Sequence, residues 1–157
     1  MFREMRRKKQ SLSEKECVEV LISEKRGVLS LIGDNGYPYG IPLNHWYCEE
    51  NGKLYFHGAR EGHKLDALKS CEKACYTVFD EGYRREGEWA LNVRSVVVFG
   101  IIRLTDDPET KERVCAALSR KFTGDDAYFE KERPALPRAI CLELTPEHIS
   151  GKLVNES

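Results

Sequence analysis

The chain shows almost no charge imbalance: 25 Lys and Arg stand against 26 Asp and Glu in 157 residues. A broad nucleic-acid surface would tilt that balance towards cations, so nucleic acid is not the expected partner. The local exception, Arg3 to Lys9, reads as a solvated or crosswise-packed arm. No apolar run approaches the roughly 20 residues that span a bilayer. Ser11 to Arg26 is charged rather than the apolar core of a secretion signal. These absences give the expectation of a cytoplasmic protein that does not enter a membrane. The six cysteines (Cys17, Cys48, Cys71, Cys75, Cys115, Cys141) contain no CxxC pair, so no metal site is expected. In that compartment they are expected as reduced thiols rather than a disulfide framework. Neither a P-loop nor a GxGxxG run is present, which leaves a nucleotide-binding α/β fold without support. Internal repeats and low-complexity tracts are also missing.

What is present suits one core. The chain is 41% hydrophobic and 10% aromatic, enough for a single domain over residues 1–157. Residues 1–10 form its N-terminal arm. Ser13-Glu14-Lys15-Glu16 has the form of a capping box, and Cys17, Val20 and Leu21 follow at helical spacing. Gly27 stands where a terminal glycine would stop that helix. Val28 to Ile32 is a strand, and Asn35-Gly36 suits a type I′ hairpin turn because both residues tolerate positive φ.

Tyr37 to Tyr47 alternates as one strand, with Tyr39, Ile41, Leu43 and His45 on one face. Pro38, Gly40, Pro42 and Asn44 fall on the other. Its prolines point to a sheet edge, and its small residues leave room for a flat ligand. Lys53 to His57 is the next strand, and His63 to Ser70 a short helix. Ala74 to Asp80 and Ala90 to Thr105 are strands. Asp107-Pro108 caps a helix to about Phe122. Residues 123–137 read as a polar, mobile connection, Ala139 to Leu144 as the last strand, and the remainder as a tail. Six mainly antiparallel strands with segregated helices suit a closed or split barrel.

The richest stretch is Tyr55-Phe56-His57-Gly58-Ala59-Arg60-Glu61-Gly62-His63-Lys64. It gathers two His, two cations and two Gly where an apolar strand opens into a helix. Backbone N–H groups at a helix start, with Lys and Arg nearby, suit a phosphate. Lys64 is the leading contact. His57 reads either as a hydrogen-bonded structural residue or as one facing a ligand.

Taken in order, Gly36-Tyr37-Pro38-Tyr39-Gly40-Ile41-Pro42-Leu43-Asn44, the His57 to Lys64 loop, Arg94 to Gly100 and Ser150-Gly151-Lys152 resemble one family. They look like the pyridoxamine-phosphate-oxidase-like flavin split-barrel superfamily, nearest to its nitroimidazole-resistance branch. The resemblance implies a mainly β fold, a six-stranded antiparallel split barrel with peripheral helices, binding FMN at the interface of a homodimer. In that pattern Tyr39, Ile41, Pro42, Leu43 and Asn44 match the strand along the isoalloxazine ring. His57, Gly58 and Ala59 match the loop along the flavin and its ribityl chain, with His57 the first choice for a catalytic side chain. Gly62, His63 and Lys64 match the phosphate segment. Arg94 and Ser95 match a strand near the neighbouring subunit's flavin. The implied activity is transfer of electrons derived from NAD(P)H to small electrophiles such as nitroimidazoles or quinones. The alternative is a non-catalytic flavin- or haem-binding protein, with His45, His57 and His63 as conceivable axial ligands. The chain lacks the arginine-rich C-terminal segment of the vitamin B6 oxidases, so that reaction is not expected.

Overall fold

A computed structural model describes residues 1–156. Helix α1 (Glu14–Ser23) is opened by Ser13: its backbone N–H donates to Glu16 Oε2 at 2.7 Å, and its hydroxyl accepts from the Glu16 N–H at 3.2 Å. Cys17, Val20 and Leu21 on its inner face are fully buried. At roughly 1.5–3 kcal/mol for each large apolar side chain, that face anchors the helix across the barrel. The helix ends at Ser23 with an extended Glu24, so Gly27 does not stop it. Gly27 instead lies within β1 (Arg26–Ile32), where a Cβ would stand 2.4 Å from the Thr77 carbonyl. Close approach of two strands, rather than a helix end, calls for glycine there.

The hairpin turn forms as expected, with φ of 56° at Asn35 and 75° at Gly36. The following strand differs from the single run of Tyr37 to Tyr47. It divides at His45 into β2 (Pro38–Asn44) and β3 (Trp46–Cys48). Four more strands follow: β4 (Lys53–Ala59), β5 (Lys73–Phe79), β6 (Leu91–Thr105) and β7 (Ala139–Glu156). Among the described residues the sheet therefore has seven strands, not six, all antiparallel, in the order β2-β1-β5-β6-β7-β4-β3. Since β2 and β3 occupy opposite edges and one residue joins them, the two edges lie side by side. The sheet is curled into a split barrel around Leu29, Leu31, Phe56, Tyr76, Val96 and Leu142.

Helix α2 (His63–Ser70) has the expected bounds. It ends before Cys71, so Cys71 and Cys75 do not share a helix face. Helix α3 (Pro108–Thr123) is capped by Asp107, which accepts from the Thr110 N–H at 2.8 Å. It covers a second apolar cluster of Cys48, Tyr55, Val114, Leu118 and Cys141. Residues 123–137 were expected as an irregular connection, yet they hold helix α4 (Ala127–Glu132) and the start of a 3-10 turn (Arg133–Arg138). The reason is Phe129, which is buried, with the Arg133 guanidinium 4.9 Å from its ring centre and paired to Glu112 and Glu130. The expected tail is likewise ordered as the second half of β7, paired with β6 as far as Glu156. Among the described residues no helix is long and apolar enough to cross a membrane.

Candidate functional site

The corner between β4 and α2 is built by glycine. Gly62, with φ of 129°, redirects the chain, and its carbonyl accepts from the Leu65 and Asp66 N–H groups at 3.0 and 3.1 Å. No side chain caps this helix, so the N–H groups of His63 and Lys64 have no partner within it. The Lys64 ammonium folds back against Gly58: a Cβ there would lie 3.0 Å from Nζ. Burial pulls the Lys64 pKa below its ordinary value. No carboxylate of the described residues stands within ion-pair distance of it. A half-buried cation without a counter-ion, beside two open N–H groups, is the chemistry of an anion site.

Its two neighbours in the loop are occupied. The His63 ring stacks on Tyr39, with centroids 3.9 Å apart and planes 20° apart, and its Nε2 is 3.7 Å from Asp34. That stack draws the start of β2 against the start of α2, a contact invisible in sequence except for the acidic residue of the hairpin turn. Arg60, counted among the loop's cations, is spent elsewhere: it forks onto Asp106 with two bonds of 3.0 Å and donates to the Pro137 carbonyl at 2.8 Å.

The β2 alternation holds. Tyr39, Ile41 and Leu43 are half-buried, whereas Pro42 and Asn44 are exposed with Pro38 and Gly40. As an edge strand, β2 leaves main-chain groups unpaired by β1. Tyr39 therefore joins the Lys64 corner through His63, and the rest of β2 presents a narrow outward face without bulky side chains.

The His57 to Ala59 segment splits. Phe56 and Gly58 face the barrel and Lys64, while Tyr55 and His57 face α3. His57 lines a cavity of about 240 Å³ with Cys115, Phe129 and Leu136. His57 and the Lys64 ammonium thus lie on opposite faces of β4. Arg94 donates to Asp80 at 2.8 Å and lies 3.8 Å from Glu19. Along the β6–β7 ladder, Arg94 opposes Leu153, whereas the partner of His57, Cys141, opposes Thr105. That separation along β6 is on the order of 30 Å. Arg94 and Ser95 cannot join the Lys64 corner of the same chain.

His45 is no ligand candidate. It is wholly buried, its Nε2 donates to the Leu21 carbonyl at 2.7 Å, and its Nδ1 is 2.8 Å from the Tyr76 hydroxyl. Burial, helped by the nearby Lys121 ammonium, lowers its pKa to about 4. Its nitrogens hold the barrel seam. Among the described residues there is no cluster of three or more metal-ligating side chains.

Solved structures of three proteins share this architecture. A candidate 5-nitroimidazole antibiotic resistance protein of Bacteroides thetaiotaomicron superposes with a TM-score of 0.79 at 19% identity, over 92% of this chain and 87% of that one. An FAD-binding protein of Mesorhizobium loti gives 0.71 at 23%, over 92% and 97%. An FAD- and heme-binding protein of Mycobacterium smegmatis gives 0.72 at 23%, over 92% and 73%. At these identities the likeness establishes the fold. No curated protein matches the sequence. The family model described as pyridoxamine 5'-phosphate oxidase matches residues 13–153, and the chain belongs to that family.

Proposed function

We propose that the protein is a flavoprotein that holds FMN by its phosphate at the β4–α2 corner and passes electrons from NAD(P)H to small electrophiles such as nitroaromatics or quinones. The observation that carries this reading is the Lys64 ammonium, half-buried against Gly58 with no carboxylate among the described residues to neutralise it. A phosphate supplies the missing charge and accepts from the open N–H groups of His63 and Lys64. The outward strip of Pro38, Gly40 and Pro42 offers a flat ring access to the edge backbone of β2. When bound, the flavin supplies the hydride and electron chemistry. The chain's part is to hold the phosphate, orient the ring and keep water from one of its faces.

A homodimer completes the site in this reading. Arg94 and Ser95 reach a flavin only across a two-fold axis, given their distance along β6 from the Lys64 corner. The outer sheet face also carries Val28, Ile32, Phe79 and Phe99, exposed at 37, 49, 63 and 39%. A second copy would bury that apolar face. Haem fits less well, because it brings no phosphate and both nitrogens of His45 are engaged. FAD, named for two of the similar structures, shares the phosphate chemistry. The test is an absorption spectrum of the purified protein, with the released cofactor weighed by mass spectrometry. Two flavin bands with the mass of FMN are expected, followed by NAD(P)H oxidation when a nitroaromatic is added. A Soret band, or a colourless protein that takes up no added flavin, overturns the proposal.

A further inference from the structure

The basic run Arg3 to Lys9 has no part in holding the flavin phosphate, yet it is placed with care. It packs crosswise as an arm tied down at both ends. At its start the Phe2 ring stacks on His148 of β7, with centroids 4.8 Å apart and planes 6° apart, and on Phe99 of β6 at 5.6 Å. At its end Ser11 bridges to Lys152, and the Leu12 N–H donates to the Gly151 carbonyl at 2.9 Å. His148 and Lys152 stand about 13 Å apart along β7. The chain from Phe2 to Ser11 could extend to roughly 30 Å, so the arm is slack between its anchors. Its charged side chains are exposed. Lys8 is paired with Glu4 at 2.8 Å, whereas Arg3, Arg6, Arg7 and Lys9 have no carboxylate within ion-pair distance among the described residues. In a chain whose net charge is −1, this loop concentrates positive charge.

We propose that the arm recognises the electron donor: Arg3, Arg6 and Arg7 bind the 2'-phosphate of NADPH and so select it over NADH. This rests on the flavin and dimer reading above. In the β6–β7 ladder Lys152, which bridges Ser11, opposes Ser95, and Leu153 opposes Arg94. The anchored end of the arm therefore lies one strand away from the stretch that approaches a second copy's flavin in that reading. A donor approaching that flavin meets the arm's cations. NADPH and NADH share their nicotinamide, riboses and diphosphate, and differ only in the 2'-phosphate, which is close to a dianion at neutral pH. A guanidinium presents a planar fork to phosphate oxygens, and several on one slack loop can close around such a group. The balanced charge of the whole chain disfavours a nucleic acid as the anion.

Binding can be read without turnover. The purified protein is titrated in a calorimeter with adenosine 2',5'-bisphosphate and, separately, with adenosine 5'-monophosphate, which lacks the 2'-phosphate. The bisphosphate is expected to bind at least about tenfold more tightly. Combining Arg3→Gln, Arg6→Gln and Arg7→Gln should bring the two affinities within about twofold of each other. These side chains are exposed and unpaired, so the variant should keep the wild-type urea midpoint. With a nitroaromatic acceptor, the ratio of kcat/KM for NADPH to that for NADH should fall in the same variant by about tenfold. Equal binding of the two nucleotides by the wild type, or a preference that survives the triple substitution, overturns the inference. A grip on heparin that the triple substitution abolishes, with no preference for the 2'-phosphate, also overturns it and makes the arm a general polyanion contact. A flavin-loaded protein that uses NADPH and NADH equally overturns this inference alone. A protein that takes up no flavin overturns the flavin reading and this inference together.

Discussion

At the barrel seam the polar groups of His45 have partners, whereas at the β4–α2 corner the Lys64 ammonium faces no carboxylate of the described residues. The seam answers a folding problem. Where β2 leaves one sheet edge and β3 enters the other, the backbone breaks its ladder at His45. The gap is closed by His45 N–H on the Lys25 carbonyl at 3.2 Å, and by the Lys121 ammonium on the carbonyls of Glu24 and His45 at 2.7 and 2.8 Å. The Tyr76 hydroxyl lies within reach of both His45 Nδ1 and the Leu43 carbonyl. The corner leaves the opposite residue, a charge partly removed from water with nothing supplied in return. Buried polar groups that are satisfied hold a fold together, and one left wanting marks where something else belongs.

The sharpest way to break the contrast is His45→Leu. It strips the Leu21 carbonyl and the Tyr76 hydroxyl of a partner inside the core. The expected loss is about 3 kcal/mol, read as a lower midpoint in urea. An unchanged midpoint would mean that the seam is closed by apolar packing alone.

The same residue sets a pH dependence. Folded His45 titrates at about 4 against an ordinary value of 6.5, so the unfolded chain binds the extra proton first. Its contribution is complete above 6.5 and is lost as pH falls towards 4. Between pH 7 and 5 the expected loss is about 2 kcal/mol. Carboxylates titrate over part of this range as well, so the measurement is the difference between wild type and His45→Leu. A difference that stays flat from pH 7 to 5 removes His45 from the acid response.

Local rules carried much of this architecture. The capping box at Ser13, the Asp107-Pro108 start and the Asn35-Gly36 turn involve neighbours a few residues apart, and each formed as read. What failed depended on distant partners. His45 breaks the strand because of Leu21 and Tyr76, 24 and 31 residues away, and Lys121, 76 residues away. Residues 127–132 fold because Phe129 finds a buried place under the Arg133 guanidinium. At the site, sequence grouped Gly62, His63 and Lys64 correctly at a helix start. It could not show that β4 turns His57 and Gly58 to opposite faces, because both belong to one short run and only the core decides which alternation faces inward.

Lys64→Ala tests the corner directly and should behave unlike any seam variant. Removing a half-buried charge that lacks a partner relieves desolvation, so the urea midpoint should hold or rise slightly. Flavin retention should fall about tenfold, the worth of one charge-assisted contact to a phosphate. Loss of the fold together with the flavin would make Lys64 a structural residue. Unchanged flavin affinity would remove it from the phosphate site.

The smallest effect is expected four residues earlier. Arg60 carries the same charge as Lys64 on the same loop, so charge alone does not rank one above the other. The structure separates them: Arg60 is half exposed, and its fork is filled by Asp106 and the Pro137 carbonyl. Asp106 is held down to a pKa of about 2 by that fork and by Lys111. An exposed pair of this kind contributes little to stability. Arg60→Ala should therefore leave the urea midpoint almost unmoved and change flavin affinity by less than about twofold, with Asp106 still paired to Lys111. If Arg60→Ala instead matched Lys64→Ala in lost flavin, the phosphate would be held by the long-range field of the loop. The contact at Gly58 would then have no special standing, and the contrast between a satisfied and an unsatisfied cation would fail at its centre.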